Sequence, residues 1–183
     1  DEHVLPSDLA DFGAVVREVA DAMAEVLREK EVGIELRSPA SPVRVVGERF
    51  QLAQVAQNLI DNAVKYSKPG QSVLVELGAS GDRDEVMAEA GRRWEGAGRI
   101  ALLTPGADAV EDCGPGVEQR FLPRLGERFF RVERETGDER GGTGLGLAIV
   151  KHIVNRHRGG LLVESRPGRG SAFAVYVELA GEG

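Results

Sequence analysis

The sequence predicts an α/β (α+β) chain that folds as a two-layer sandwich, with a mixed β-sheet packed on three helices. Helix-like and strand-like segments alternate along most of the chain, which favours a sheet covered by helices. The last two strand-like segments flank a Gly/Pro turn and predict a hairpin, so part of the sheet should be antiparallel. No internal repeat is evident, so a repeat architecture is not expected.

The amino-terminal part predicts one amphipathic helix followed by two short strands. The apolar residues of the helix recur at three-to-four spacing and leave a polar back. They are Leu9, Phe12, Val15, Val16, Val19, Met23, Val26 and Leu27. Residues 33–37 (GIELR) alternate as a strand does, and residues 43–47 (VRVVG) follow turn prolines and predict a second strand.

A second helix and two strands occupy the middle of the chain. The helix begins near Glu48, carries its apolar residues on one side, and ends before Pro69 and Gly70. Its apolar residues are Phe50, Leu52, Val55, Leu59, Ile60, Ala63 and Val64. Residues 72–79 (SVLVELGA) predict an alternating strand and residues 99–105 (RIALLTP) a further one, with a long polar excursion from Ser80 to Gly98 between them.

The carboxyl-terminal part predicts a turn, a loop, a third helix and the hairpin. Residues 107–117 (ADAVEDCGPGV) predict a short strand running into a tight turn, and residues 118–133 predict one or two short helical turns. Residues 134–144 (RETGDERGGTG) are too polar and glycine-rich to pack, so we expect a mobile loop. Residues 145–159 form the helix and residues 161–179 the hairpin.

Composition limits the class of protein. The 183 residues, 42% of them hydrophobic, suffice for one domain, or one domain with an arm. The net charge of −7 argues against a nucleic-acid partner, although a compact basic patch could hide within it. A single cysteine, Cys113, excludes an internal disulfide and a multi-cysteine zinc site. No apolar run approaches the roughly 18 residues of a membrane span, and the acidic start argues against a signal peptide.

Three polar residues share one face of the second helix. Asn58, Asn62 and Lys65 stand at i, i+4 and i+7, offset from the apolar side. Amide oxygens can ligate Mg²⁺, and an ammonium group can neutralise phosphate. An ordinary solvated helix face fits the same residues, so this motif alone leaves both interpretations open.

A carboxylate and two glycines form a second motif. Asp112 follows a strand and precedes Gly114, Pro115 and Gly116. The carboxylate can accept from an exocyclic amine, and the glycines let a ring approach the backbone. A plain Pro/Gly turn that opens with an aspartate is the alternative.

Glycines crowd the start of the third helix and form a third motif. They stand at 141, 142, 144 and 146, and they leave N–H groups unshielded at a helix N-terminus, where an anion is favoured. The motif is neither a Walker A loop nor a Rossmann fingerprint, because no G-K-[ST] follows and no strand immediately precedes it. A flexible hinge before a core helix is the alternative.

Taken in order, these motifs resemble the N, G1 and G2 boxes of the GHKL ATP-binding superfamily of gyrase, Hsp90, MutL and the sensor histidine kinases. Three segments look most like the catalytic ATP-binding domain of bacterial sensor histidine kinases. They are residues 57–67 (QNLIDNAVKYS), residues 128–133 (RFFRVE), which resemble the F box, and residues 141–154 (GGTGLGLAIVKHIV). The resemblance covers the chain from about residue 43 to 179 and implies the Bergerat (GHKL) fold.

The resemblance also implies a domain organisation. Residues 1–38 would hold the first helix and strand, and would follow a dimerisation and phosphoacceptor domain that this chain lacks. Residues 39–183 would be the ATP-binding core, with an ATP lid at about 131–144. The pairing of residues 98–105 (GRIALLTP) with residues 121–133 (FLPRLGERFFRVE) looks more narrowly like the phosphate-regulon sensor kinases.

The implied ligand is ATP with Mg²⁺, and the matching residues take on the family's roles. Asn62 would hold Mg²⁺, Asn58 would assist on the phosphate side, and Lys65 would contact phosphate. Asp112 would accept from the adenine amino group, and Gly114 and Gly116 would shape the adenine pocket. Tyr66 and Ser171 would lie near the nucleoside. The phosphates would be bound by the backbone of Gly142, Thr143, Gly144, Leu145 and Gly146.

The segment resembling the F box would act on the terminal phosphate. Arg131 and Arg128 would reach the γ-phosphate and offset charge during transfer. Phe129 and Phe130 would anchor the loop or dock on the partner helix bundle, and core packing is the alternative for one of them.

One residue favours phosphoryl transfer over hydrolysis. The hydrolysing members place a glutamate where this chain has Asn58, and an amide cannot act as a general base for water. The family's nucleophile is a histidine on a separate helical hairpin, whereas His3, His152 and His157 are interpreted as surface residues. The fragment should therefore bind ATP–Mg²⁺ without being a complete autokinase.

The implied partners are the chain's own phosphoacceptor domain and, through the full kinase, a response regulator. We expect a cytoplasmic domain that touches neither nucleic acid nor membrane, in a parent protein anchored in the bacterial inner membrane. Two alternatives stay open. One is a nucleotide-binding module without kinase activity, and the other is a GHKL serine kinase of the anti-sigma type, which usually lacks the RFFRVE element.

Overall fold

The computed structural model describes residues 7–77, 100–102, 145–166, 170–178 and 180. Within these ranges the helices are α1 (Phe12–Ala22), α2 (Ala24–Lys30), α3 (Arg49–Tyr66) and α4 (Gly146–Arg156). The strands are β1 (Leu9–Asp11), β2 (Gly33–Arg37), β3 (Arg44–Val46), β4 (Ser72–Leu77), β5 (Ile100–Leu102), β6 (Gly160–Arg166) and β7 (Gly170–Tyr176).

The main sheet is mixed, as the hairpin predicted. Its five strands lie in the order β2-β4-β5-β7-β6. The pairs β2–β4, β4–β5 and β5–β7 are parallel, and β6 and β7 form an antiparallel pair. That pair runs from Gly160 opposite Tyr176 to Arg166 opposite Gly170, so the carboxyl-terminal hairpin is confirmed.

One hydrophobic core joins the helices to one face of the sheet. Alternate strand residues contribute to it, namely Val73 and Val75 of β4 and Phe173 and Val175 of β7, because side chains one position apart point to opposite faces. From the helices come Leu52, Val55, Leu59, Ile60, Ala63 and Val64 of α3 and Val150, Ile153 and Val154 of α4. Full burial of each Leu, Ile or Val contributes about 1.5–3 kcal/mol, so this contact fixes α3 and α4 against the sheet.

The first predicted helix is broken in the structure, and its start was placed wrongly. Residues 9–11 form strand β1, which pairs with β3, and Leu9 is 68% exposed and lies outside the core. The helix begins only after Asp11, whose carboxylate accepts the Ala14 N–H at 3.1 Å and caps it. A second break falls at Met23, where φ −90° and ψ 0° separate α1 from α2.

Phe50 was predicted on the buried side of the second helix, and this is wrong. Its side chain is 79% exposed in the first turn of α3. The helical spacing explains the error, because residues 50, 54, 57 and 61 recur every three or four positions, and the other three are the exposed Gln54, Gln57 and Asp61. Phe50 therefore belongs to the solvent face of α3.

Both faces of the interior strand β4 are covered, although its sequence predicts a simple alternation. Leu74 is 1% exposed, yet it points away from the core that holds Val73 and Val75. On the neighbouring β7, Ala174 is buried as well and lies outside that core cluster. Among the helices that the structure describes, none has the length and apolar character needed to cross a membrane.

Candidate functional site

The polar edge of α3 lies where the core meets solvent. Asn58, Asn62 and Lys65 are all half-buried. On one side of this edge Leu59 and Ile60 are fully buried, and on the other side the helix face is exposed to solvent. Two amides and one ammonium group thus follow each other along a single edge of the helix, as the spacing predicted.

The first turn of α4 lies directly beside this edge. A β-carbon built on Gly146 would stand 3.4 Å from Asn58 Oδ1 and 3.9 Å from its Cγ. The Asn58 amide is oriented by its own helix, because Nδ2 donates to the Gln54 carbonyl oxygen at 2.9 Å. The oxygen therefore faces Gly146, and two motifs that are far apart in sequence meet at this point.

The N-terminus of α4 has the form of an anion site. Its N-cap residue is Leu145, which provides no side-chain acceptor for the first turn. The first bond of the helix joins Ile149 N–H to the Leu145 carbonyl oxygen at 2.9 Å, so the N–H groups of residues 146–148 precede the intrahelical ladder. Such groups and the helix dipole attract a phosphate or a carboxylate.

The other ends of the two helices meet through His157, which was wrongly interpreted as a surface residue. Its side chain is 3% exposed. Nδ1 lies 2.8 Å from the Ile153 carbonyl oxygen, and Nε2 accepts the Glu48 N–H at 3.1 Å. The spacing of 150, 153, 154 and 157 places this histidine on the apolar face of α4, a signal that sequence analysis could have used.

The exposed histidine of α4 is His152, in agreement with its interpretation as a surface residue. Tyr66 is the last residue of α3 and Ser171 lies in β7 opposite Ser165, and only their backbone is described. Many predicted site residues lie outside the described residues. They are Asp112, Gly114, Gly116, Arg128, Arg131, Gly142, Thr143 and Gly144, and with them His3, Cys113, Phe129 and Phe130.

Magnesium fits the chemistry of the α3 edge. Asn62 offers a neutral amide oxygen at a half-buried position, a hard donor of the kind that Mg²⁺ takes alongside water and phosphate oxygens. Within the described residues, no three His, Cys, Asp or Glu side chains are grouped so that they could hold a metal ion.

Comparison with known proteins extends this picture. The family model of histidine kinase-, DNA gyrase B- and HSP90-like ATPases matches residues 47–181. The chain is 39% identical over 141 residues to the phosphate regulon sensor protein PhoR of Pseudomonas aeruginosa. The aligned region covers 77% of this chain and 27% of PhoR. It is 32% identical over 170 residues to the sensor-like histidine kinase SenX3 of Mycolicibacterium smegmatis, with 93% of this chain and 38% of SenX3 covered.

A solved structure agrees with these relatives. The mycobacterial sensor histidine kinase MprB matches with a TM-score of 0.66 and 25% identity, over 96% of this chain and 99% of that one. The chain therefore belongs to the family of histidine kinase-, DNA gyrase B- and HSP90-like ATPases. Within that family it is a catalytic ATP-binding domain of the sensor histidine kinase type, and the predicted resemblance and fold class are confirmed. It spans 27% and 38% of the two curated relatives.

Proposed function

We propose that this domain binds ATP with Mg²⁺ and transfers the γ-phosphoryl group to a histidine on a separate helical domain. The observation that carries the proposal is the close approach of Asn58 to Gly146, where an added β-carbon would stand 3.4 Å from Asn58 Oδ1. It places the amide edge of α3 next to a helix N-terminus suited to phosphate, inside a match to an ATP-binding family. A solvated helix face or a plain hinge would not require these two motifs to meet.

The triphosphate would lie between α3 and the start of α4. The N–H groups of Leu145 and Gly146, with those of Gly142, Thr143 and Gly144, would donate to its oxygens. Lys65 would offset phosphate charge from the far end of the α3 edge. Mg²⁺, held by Asn62 with Asn58 beside it, would neutralise charge on the phosphates.

The nucleoside and the terminal phosphate would be held by residues of the other motifs. Asp112 would accept from the adenine amino group, Gly114 and Gly116 would let the ring approach, and Tyr66 and Ser171 would line its surroundings. Arg131 and Arg128 would stabilise the γ-phosphoryl group as it is transferred.

The chemistry of Asn58 favours transfer to a protein over hydrolysis. A carboxamide has no basic site that could take a proton from water, and the Asn58 NH₂ group already donates to the Gln54 carbonyl. The nucleophile must therefore bring its own reactivity, as a neutral imidazole does. The buried His157, engaged at both nitrogens, is unsuited to that role.

The nucleophile would come from the dimerisation and phosphoacceptor domain of the parent chain, with residues 39–183 as the catalytic core after it. PhoR and SenX3 are much longer than this chain, which leaves room for such domains in a related parent. We further propose a response regulator as the final acceptor, and a cytoplasmic location for this domain in a kinase anchored in the inner membrane. The relatives do not favour the anti-sigma alternative, because PhoR is a phosphate regulon sensor protein and SenX3 a sensor-like histidine kinase.

Two measurements test the proposal. Calorimetry of the 183-residue chain with ATP should show binding that strengthens when Mg²⁺ is added. With γ-labelled ATP, the chain should then label a separately prepared helical hairpin that bears the phosphoacceptor histidine, and a His→Gln hairpin should stay unlabelled. Hydrolysis of ATP without labelling of the hairpin would refute the transfer reaction, and absence of ATP binding would refute the site.

A further inference from the structure

We propose that His157 is a positioning residue that sets the register of α3 against α4, and thereby the distance between Asn58 and Gly146. The effect on nucleotide binding rests on the function proposed above, whereas the effect on register does not. The imidazole makes two hydrogen bonds, one to α4 itself and one to the N-cap residue of α3.

The two bonds define one tautomer of a neutral ring. Nε2 accepts the backbone N–H of Glu48 at 3.1 Å, so it carries no proton. Nδ1 then carries the proton and donates it to the Ile153 carbonyl oxygen at 2.8 Å. The bond to Ile153 locks the ring to its own helix, and the bond from Glu48 ties the ring to the N-cap residue of α3.

The ring has no room to turn. A β-carbon on Gly47 would stand 2.7 Å from His157 Cδ2 and 3.0 Å from Nε2, so the backbone of Gly47 lies against the ring edge. The imidazole is also 3% exposed, which leaves water little access to replace either bond. Glycine at position 47 is thus a condition for the contact between His157 and Glu48.

Gln51 shows that His157 has taken over a bond that α3 could otherwise make locally. Position 51 is the third residue of the helix, from which a glutamine side chain can accept the N–H of the N-cap residue. In this part of the described chain, Gln51 Oε1 is instead buried without a hydrogen-bond partner. The Glu48 N–H instead donates to His157, so this hydrogen bond links α3 to α4. A bond to Gln51 would only have capped α3.

The geometry turns this bond into a register constraint. Asn58 lies ten residues after Glu48, about 15 Å along α3, and Gly146 lies eleven residues before His157, about 16 Å along α4. The two helices therefore run antiparallel. The two segments have similar lengths, with the Glu48–His157 bond at one end and the approach of Asn58 to Gly146 at the other. A slip of one residue would move Asn58 about 1.5 Å relative to Gly146.

Two variants separate the two bonds of the ring. In His157→Gln the side-chain oxygen can take the place of Nε2 and accept from Glu48, whereas in His157→Asn the shorter amide can replace only the Nδ1 bond to Ile153. His152→Gln, on the exposed side of the same helix, is the matched control. Urea unfolding would set conditions under which every variant stays folded.

The first readout needs no nucleotide. In wild-type protein, long-range ¹H–¹⁵N spectra should show the Nδ1–H tautomer of His157. The amide signal of Gly146 and the side-chain amide signals of Asn58 should shift in His157→Asn and stay in place in His157→Gln and His152→Gln. An Nε2–H tautomer, or unchanged Gly146 and Asn58 signals in His157→Asn, would overturn the proposal.

The second readout is the dissociation constant of ATP with Mg²⁺. His157→Asn should weaken binding about two- to tenfold, the effect of losing one net hydrogen bond between coupled elements. His157→Gln should bind within twofold of wild type. Equal weakening in both variants would mean that the ring serves only as packing and would overturn the register role. A wild-type protein that fails to bind ATP would refute the proposed function, with the spectra still deciding on the register.

Discussion

Replacement of Gly146 by alanine should make the protein more stable and a weaker ATP binder at the same time. The new methyl group would lie 3.4 Å from Asn58 Oδ1 and 3.9 Å from Cγ, which is ordinary contact, so no clash is expected. Gly→Ala at a position compatible with the helix stabilises by about 0.4–1 kcal/mol, chiefly by restricting the unfolded chain. The free energy of unfolding should therefore rise by about half a kcal/mol.

The same methyl group should weaken binding, because it covers the side of Asn58 Oδ1 that faces the proposed phosphate position. Losing one net hydrogen bond or metal-directed contact costs about 0.5–1.5 kcal/mol, so ATP affinity should fall about two- to tenfold. Urea unfolding and calorimetry with ATP–Mg²⁺ measure the two effects on the same protein. Gly13→Ala in α1 is the control and should leave ATP affinity unchanged. Unchanged affinity in a stable Gly146→Ala protein would refute the placement of the site between α3 and α4.

Four other substitutions test separate parts of the structure. Gly47→Ala should lower the free energy of unfolding by about 1–3 kcal/mol, because its methyl would overlap His157 and stand 2.9 Å from Leu52 Cδ1, and an unchanged urea midpoint would contradict that packing. Phe50→Ser should change stability by less than about 0.5 kcal/mol in the same assay, since the ring is 79% exposed, and a larger loss would mean that it packs. Asp112→Asn should abolish ATP binding in calorimetry, and retained binding would remove Asp112 from the site. Asn62→Ala should weaken ATP binding chiefly with Mg²⁺ present, and equal weakening with and without the metal would refute its role as a ligand.

The elements with strong periodicity could be predicted from the sequence alone. The apolar spacing of α3 gave its face correctly from Leu52 to Val64, and the alternation on both sides of the Gly/Pro turn predicted the antiparallel pair β6–β7. Both signals are local, because each depends on side chains a few positions apart. The shared edge of Asn58, Asn62 and Lys65 follows from the same helical spacing.

The errors have two sources, which are pairing with a distant strand and helical spacing that was not applied to every residue. Residues 9–11 continue an apolar pattern that suits a helix, yet they pair with β3, and that pairing depends on residues far along the chain. Phe50 counts as apolar, yet its helical spacing with Gln54, Gln57 and Asp61 already places it on the solvent face of α3. His157 looks polar in sequence, although its spacing with Val150, Ile153 and Val154 places it on the apolar face of α4. Its bond to the Ile153 carbonyl is local, and only the bond from the Glu48 N–H depends on a distant segment.

The proposed site combines two motifs that are ambiguous on their own, and the packing of α3 on α4 supports the same interpretation of both. A solvated helix face does not require an amide oxygen to face a glycine at the start of another helix. A flexible hinge does not require a glycine at the point where α4 lies closest to Asn58. Phosphate recognition requires both, because oxygens and any bound cation must approach helix N–H groups and an amide at once. The part-buried hydrogen bond between Glu48 and His157 ties the far ends of the same two helices. In the proposed site it would keep the two halves together, because an error of one residue in register would move them about 1.5 Å apart.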